Sequence, residues 1–240
     1  MERIIEKTDD GSTTLFVPEL NEHYHSTKGA RTESRHIFID MGLKASLAPY
    51  PHILEIGFGT GLNAWLTLEE AERTGRKVHY TGLELYPLEW QLVEQLGYIS
   101  EHELLTVDGK QRSASELFRQ LHTSVWEEDV PVTPHFTLRK VKADFNQWGI
   151  GREEVFDLVY FDAFAPEKQP EMWTQELFNR LYVLLKDGGI LTTYCAKGVV
   201  RRMLQAAGFI VERLPGPPGG KREILRARKQ ESDFLNEIDK

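Results

Sequence analysis

Residues 155–161, Val-Phe-Asp-Leu-Val-Tyr-Phe, make a short and nearly unbroken apolar run with β-branched and aromatic side chains. That is the pattern of a strand buried on both faces of a parallel sheet. The run stops at a carboxylate, Asp162, followed by Ala163, Phe164, Ala165 and Pro166. Ligands of open α/β sheets sit beyond the carboxyl ends of the strands, so Asp162 stands where a ligand is expected.

The rest of the chain supplies the remaining layers. Residues 52–56 read as a strand, 57–61 as a glycine-rich turn, and 62–73 as a helix ended by Gly75. Strands are also expected at 77–83, 136–142, 189–195, 209–213 and 223–227. Helices are expected from Pro87 to Gly97 and at 113–126, 171–185 and 198–207. The connection 215–220 is too short for a parallel crossover, so the last two strands should pair antiparallel. Near the N-terminus, 13–17 and 21–25 read as a small hairpin, 26–35 as a polar loop or lid, and 36–47 as a helix. His23 and His25 fall on one strand face. No third ligand lies nearby, which favours surface histidines over a metal site. Segment 98–135 breaks the alternation and reads as an insertion, with 127–131 an acidic, proline-bearing connection. The expected organisation is an N-terminal extension packed on the core (1–48), a main α/β domain (49–229) and a tail (230–240).

A chain of 240 residues suffices for one α/β domain with an insertion. No apolar run approaches the roughly 20 residues of a membrane span, and the first residues lack the apolar core of a signal peptide. The single cysteine, Cys195, makes no internal disulfide, so a reducing cytoplasmic setting is expected. The formal charge is -8, yet residues 197–229 carry +7 and leave -15 to the remainder. One basic face on an acidic body is therefore expected, with Lys197, Arg201, Arg202, Lys221 and Arg222 as candidate phosphate contacts.

Strand, glycine-rich turn and helix together form a nucleotide-binding opening, because glycines admit a ligand to the backbone amides and the helix N-terminus. A dinucleotide fold places glycines at relative positions one, three and six; here they fall at one, three and five, and Leu62 is sixth. The motif Glu55-Ile56-Gly57-Phe58-Gly59-Thr60-Gly61 resembles the first motif of S-adenosyl-L-methionine-dependent methyltransferases. That resemblance implies a cofactor site built from Glu55, Gly57, Phe58, Gly59, Thr60, Gly61 and Asn63. Glu84, ending the second strand, is placed to accept both ribose hydroxyls. Asp144, after the third, is placed to accept the adenine amino group, with Phe145 packing on the ring. Asp162 closes the site and faces the acceptor.

The run 161–174 (Phe-Asp-Ala-Phe-Ala-Pro-Glu-Lys-Gln-Pro-Glu-Met-Trp-Thr), together with Phe58-Gly59-Thr60-Gly61-Leu62-Asn63, Gly188-Gly189, Gly198-Val199-Val200-Arg201-Arg202, Gly208-Phe209 and Lys221-Arg222-Glu223, resembles a specific family. These are the bacterial methyltransferases that finish 5-methylaminomethyl-2-thiouridine at the tRNA wobble position. The resemblance implies a Rossmann-like class I fold with a seven-stranded, mostly parallel sheet, an antiparallel last strand and a small N-terminal hairpin. It also implies Asp162 as the catalytic residue, Phe164 and Trp173 as stacking surfaces for an extruded uracil, and tRNA as the partner. Because the chain resembles the stand-alone form, another enzyme is expected to supply the aminomethyl substrate. Two rivals stand beside this reading: an aminopropyltransferase of polyamine synthesis, which should surround its acceptor with more acids, and a non-catalytic RNA-binding module.

Overall fold

The computed structural model describes residues 2–9, 11–26, 28–149 and 155–231, so the end of the expected tail, 232–240, lies outside the described residues. The strands in chain order are β1 (Ile4–Lys7), β2 (Thr13–Val17), β3 (Glu22–His23), β4 (His52–Ile56), β5 (Val78–Glu84), β6 (Leu104–Val107), β7 (Lys110–Ser113), β8 (Asp129–Thr133), β9 (Phe136–Lys142), β10 (Phe156–Phe161), β11 (Leu185–Thr193), β12 (Ile210–Pro215) and β13 (Glu223–Arg228). The α-helices are α1 (Ala30–Ser34), α2 (Leu62–Thr74), α3 (Trp90–Glu94), α4 (Ala114–Thr123), α5 (Gln175–Leu184) and α6 (Gly198–Ala206).

An eight-stranded sheet runs β12-β13-β11-β10-β4-β5-β9-β8. Its middle five strands are parallel, while β13 pairs antiparallel with both β11 and β12. All seven expected strands are present. The eighth, β8, arises from the stretch read as a connection and lies antiparallel at the edge of β9. Pro131 is tolerated there because an edge strand leaves one row of amides unpaired, and the register shifts beside it.

The strand β10 is buried on both faces, as its composition requires. Leu158 and Tyr160 pack with Phe38, Trp65 and Leu117 on the side of α2 and α4, while Val159 and Phe161 pack with Phe178 and Leu204 on the side of α5 and α6. Trp173 belongs to this second core, 6% exposed, against Phe161 at a ring distance of 4.9 Å. It is therefore a core residue outside the lining of the cleft described below, which corrects the expected stacking surface.

The N-terminal hairpin is a three-stranded sheet, because β1 adds to β2 and β3. The expected lid is half helical: α1 runs directly into a π-helical turn, Arg35–Asp40, and a 3-10 turn follows at Leu43–Ala45. Arg31 and Arg35 both bind Glu69 of α2, at 2.6 and 2.7 Å, which ties this segment to the main body. Within the insertion, β6 and β7 form a hairpin across Asp108-Gly109, and Ser113 caps α4 by accepting the Glu116 amide. No helix among the described residues is long and apolar enough to cross a membrane.

Candidate active site

Parallel register brings the strand tips together. Ile56 stands opposite both Leu83 and Phe161, so the residues that follow these three meet at one end of the sheet. The Asp162 amide donates to the Ile56 carbonyl at 3.1 Å, and the Gly57 and Phe58 amides both donate to the Leu83 carbonyl at 3.0 Å. Gly57 has φ +92°, and a Cβ there would come within 2.8 Å of the Asp162 carbonyl oxygen. Glycine at this position lets the loop pass against the exit of β10.

A cleft of about 1080 Å³ opens above these tips. Phe58, Gly59, Thr60, Asn63, Glu84, Asp144, Phe145, Asp162 and Phe164 all line it. Glu84 accepts the amides of Gly59 and Tyr86, each at 2.8 Å, one on each carboxylate oxygen. Asp144 accepts the Asn146 amide at 2.9 Å, and Phe145 beside it is nearly fully buried under the Arg180 guanidinium. Glu55 does not line the cleft; it is fully buried, and it reaches the site through Asn63. The Asn63 Nδ2 group donates to Glu55 Oε1 at 2.9 Å and to Asp162 Oδ2 at 2.8 Å. Burial holds Glu55 well above the usual carboxylate range, although the Asn63 hydrogen bond pulls the other way. Burial also pushes Asp162 up to about 7, although the Asn63 hydrogen bond pulls the other way.

Several residues of the site carry no sequence signal of their own. Tyr24 lies over Gly59 and meets Phe164 edge-on, with ring centroids 5.1 Å apart. His25, expected on the surface, is buried and shares a 2.7 Å hydrogen bond with the Thr60 hydroxyl. From the insertion, His122 reaches the Thr60 carbonyl at 3.1 Å. The glycine loop is thus held from two sides, one by the N-terminal extension and one by the insertion. Glu33 and Tyr194 also line the cleft. Among the described residues no group of three metal-ligating side chains occurs.

Six of the nine basic residues of the expected face are ion-paired, but only three of their partner acids lie outside 197–229. Arg213 pairs with Glu223, Arg226 and Arg228 with Glu212, Lys229 with Asp187, and Lys197 with Glu167. Lys221 turns into the cleft and binds Glu33 at 2.5 Å. Arg201, Arg202 and Arg222 make no ion pair with other described residues, and of these only Arg222 lines the cleft.

Burial sets His25 at about 4 and His122 at about 3, and His52, at the opposite end of the sheet, also at about 4. A histidine whose folded value lies below its unfolded one withdraws stability as pH falls from about 6.5 toward that lower value. Asp162 and Glu55, both raised, act in the opposite sense over the acid range. Resolving single groups avoids this cancellation. Ring-nitrogen NMR is expected to show His25, His52 and His122 still neutral at pH 5, and an imidazolium signal from His25 at that pH would overturn its buried hydrogen-bonded placement.

The donor set suits a cationic, hydroxyl-bearing ligand. Glu84 retains acceptor capacity beyond its two amide bonds, and Asn63 Oδ1 is buried with no hydrogen-bond partner among the described residues. With glycines at one, three and five and an acid at the tip of the next strand, the cleft has the form of a class I methyltransferase site. Residues 114–230 match the family model described as S-adenosyl-L-methionine-dependent methyltransferase. It is 31% identical over 239 residues to the tRNA 5-methylaminomethyl-2-thiouridine biosynthesis bifunctional protein MnmC of Cupriavidus metallidurans, an alignment covering 95% of this chain and 35% of that protein. The chain thus spans about a third of the length of the curated relatives it matches. The crystal structure of MNMC2 from Aquifex aeolicus superposes with a TM-score of 0.73 at 25% identity, covering 96% of this chain and 72% of that one. Spermidine synthase from Thermotoga maritima superposes at 0.54 with 14% identity, over 95% and 73% of the two chains, which is a likeness of fold alone.

Proposed function

We propose that this protein methylates the exocyclic primary amine of 5-aminomethyl-2-thiouridine at the tRNA wobble position, using S-adenosyl-L-methionine. The observation that carries the reading is Asp162, a carboxylate standing at the cleft beside the glycine loop, while Glu84 and Asp144 are left for the cofactor. The names and extent of the relatives support the substrate; the aminopropyl rival keeps only the fold likeness.

In this reading Glu84 holds the ribose, Asp144 the adenine amino group, and Gly57 to Gly61 with Asn63 the methionine part. Bound S-adenosyl-L-methionine supplies a methyl group on a cationic sulfur, which keeps the electron pair of the broken bond. The chain has to align the acceptor nitrogen with that methyl. The nitrogen must arrive as a free amine, and it has one proton to lose once its new bond to carbon has formed. Asp162 accepts a hydrogen bond from it, orients its lone pair and stabilises the positive charge that develops on it. Its raised value also brings Asp162 into range as the group that takes the surplus proton near neutrality. Phe164, paired with Tyr24 at the mouth, offers a face for the extruded base.

Mass spectrometry of tRNA nucleosides after incubation with labelled cofactor tests the assignment. The expected product is labelled 5-methylaminomethyl-2-thiouridine, and label at any other position would overturn it. Of the expected basic face, Arg201, Arg202 and Arg222 are the cations that make no ion pair with other described residues and are left to meet phosphates. Each one that does so should, when replaced by alanine, lower the slope of log affinity against log salt by about 0.7 to 0.9. A slope unchanged in all three variants would remove this basic patch from the tRNA contact. The substrate presupposes an activity that has already installed the aminomethyl group, and the setting we infer is the cytoplasm.

A further inference from the structure

We propose that Lys221 is a fixed cation of the acceptor site, whose charge expels the proton from the pair formed by Asp162 and the acceptor amine. The proposal rests on the amine-methylation reading above and gives a role to a lysine that its sequence context marks for phosphate.

Lys221 lies between β12 and β13 beside exposed Arg222, yet its ammonium points into the cleft. It donates to Glu33 Oε1 at 2.5 Å and lies 4.4 Å from the centroid of the Tyr194 ring. Both partners are anchored. The other oxygen of Glu33 accepts the Ser26 amide at 3.0 Å, and the Tyr194 hydroxyl donates to the Ala163 carbonyl at 2.9 Å, one residue from Asp162. An ion pair from α1 and an aromatic face from the segment after β11 therefore hold this cation at one place.

The titratable groups facing it are Glu33 from α1, Asp162 at the tip of β10, Tyr194 and Cys195 after β11, and His25 after β3. Glu33 and Lys221 act on Asp162 in opposite senses, the first favouring the bound proton and the second its loss. A free alkyl amine keeps its proton to about pH 10, so an acceptor that must be neutral needs its affinity for protons lowered. A partly solvated cation lining the same cleft lowers it, by about one pH unit. Asp162 and the amine titrate as a coupled pair, and Lys221 shifts the pair as a whole whichever partner holds the last proton.

The test uses an anticodon stem-loop carrying 5-aminomethyl-2-thiouridine. Single-turnover rates at saturating RNA report ionisations within the complex. Calorimetry in two buffers, with S-adenosylhomocysteine present, counts the protons released on binding without any turnover. Lys221→Met is expected to move the acid limb of the rate profile upward by about one unit and to reduce proton release. Lys221→Arg should keep both, and Glu33→Gln should leave the limb in place or move it down. Unchanged limb and proton release in Lys221→Met, with only weaker RNA binding, would overturn the proposal and return Lys221 to phosphate contact. An upward shift in Glu33→Gln would overturn it as well. Absence of amine methylation by the unaltered protein at every pH would instead overturn the reading of function beneath it.

Discussion

Asp162→Ala is expected to lower single-turnover methyl transfer by about 10²- to 10⁴-fold, the range associated with a positioned acid or base. Cofactor affinity and fold should survive, because the cofactor-facing acids lie on other strand tips and the partner of Asp162, Asn63, keeps its bond to Glu55. Stability gives an independent check with a defined sign. The carboxyl of Asp162 is raised from 3.8 to about 7, so the folded protein binds a proton that the unfolded chain has already lost over that interval. Its contribution is favourable below that window and is lost as pH rises through the folded value. Alanine titrates nowhere, so the melting temperature of the variant relative to the parent should rise between pH 4 and pH 8. Near-normal turnover in the variant would sink the catalytic assignment, and a difference in melting temperature flat with pH would sink the raised carboxyl.

The strand tips were legible in the sequence because each is announced twice, by an apolar run and by the acid or glycine that ends it. Asp162, Glu84 and the loop 57–61 are all of this kind, and the cleft collects all three. The edge strand β8 was hidden by Pro131 and its acidic neighbours, which disfavour a central strand and say little about an edge. Trp173 belongs to a motif that reads as functional, yet its indole donates to the Phe164 carbonyl at 2.7 Å from inside the core. It shapes the loop that presents Phe164 and never meets the cleft. Charge was only partly legible for a related reason. The basic count over 197–229 is correct, but its neutralising partners Glu33, Glu167 and Asp187 lie outside that window. Pairings set by tertiary structure leave no local mark, and the same holds for Tyr24 and His25 over the glycine loop.

Gly57→Ala is expected to impair both binding and transfer, and comparison with Gly75→Ala isolates the cause. Both glycines have positive φ, +92° at Gly57 and +69° at Gly75, so alanine strains the backbone at each by about 1–2 kcal/mol. At Gly75, which ends α2, nothing lies within 4 Å of the added Cβ, so this variant carries the backbone cost alone. At Gly57 the Cβ meets the Asp162 carbonyl oxygen at 2.8 Å, a backbone atom that cannot rotate aside. Relief requires the loop or the exit of β10 to move. The loop carries the amide that holds Glu84, and the exit carries Asp162 itself. Gly57→Ala should therefore weaken S-adenosyl-L-methionine binding by at least about tenfold, equivalent to about 1.4 kcal/mol, and slow methyl transfer further at saturating cofactor. Gly75→Ala should lower the melting temperature while leaving cofactor affinity and single-turnover rate within about twofold of the parent. Equal losses of affinity in the two variants would mean that backbone strain, and not the approach of the loop to Asp162, is what glycine relieves at position 57.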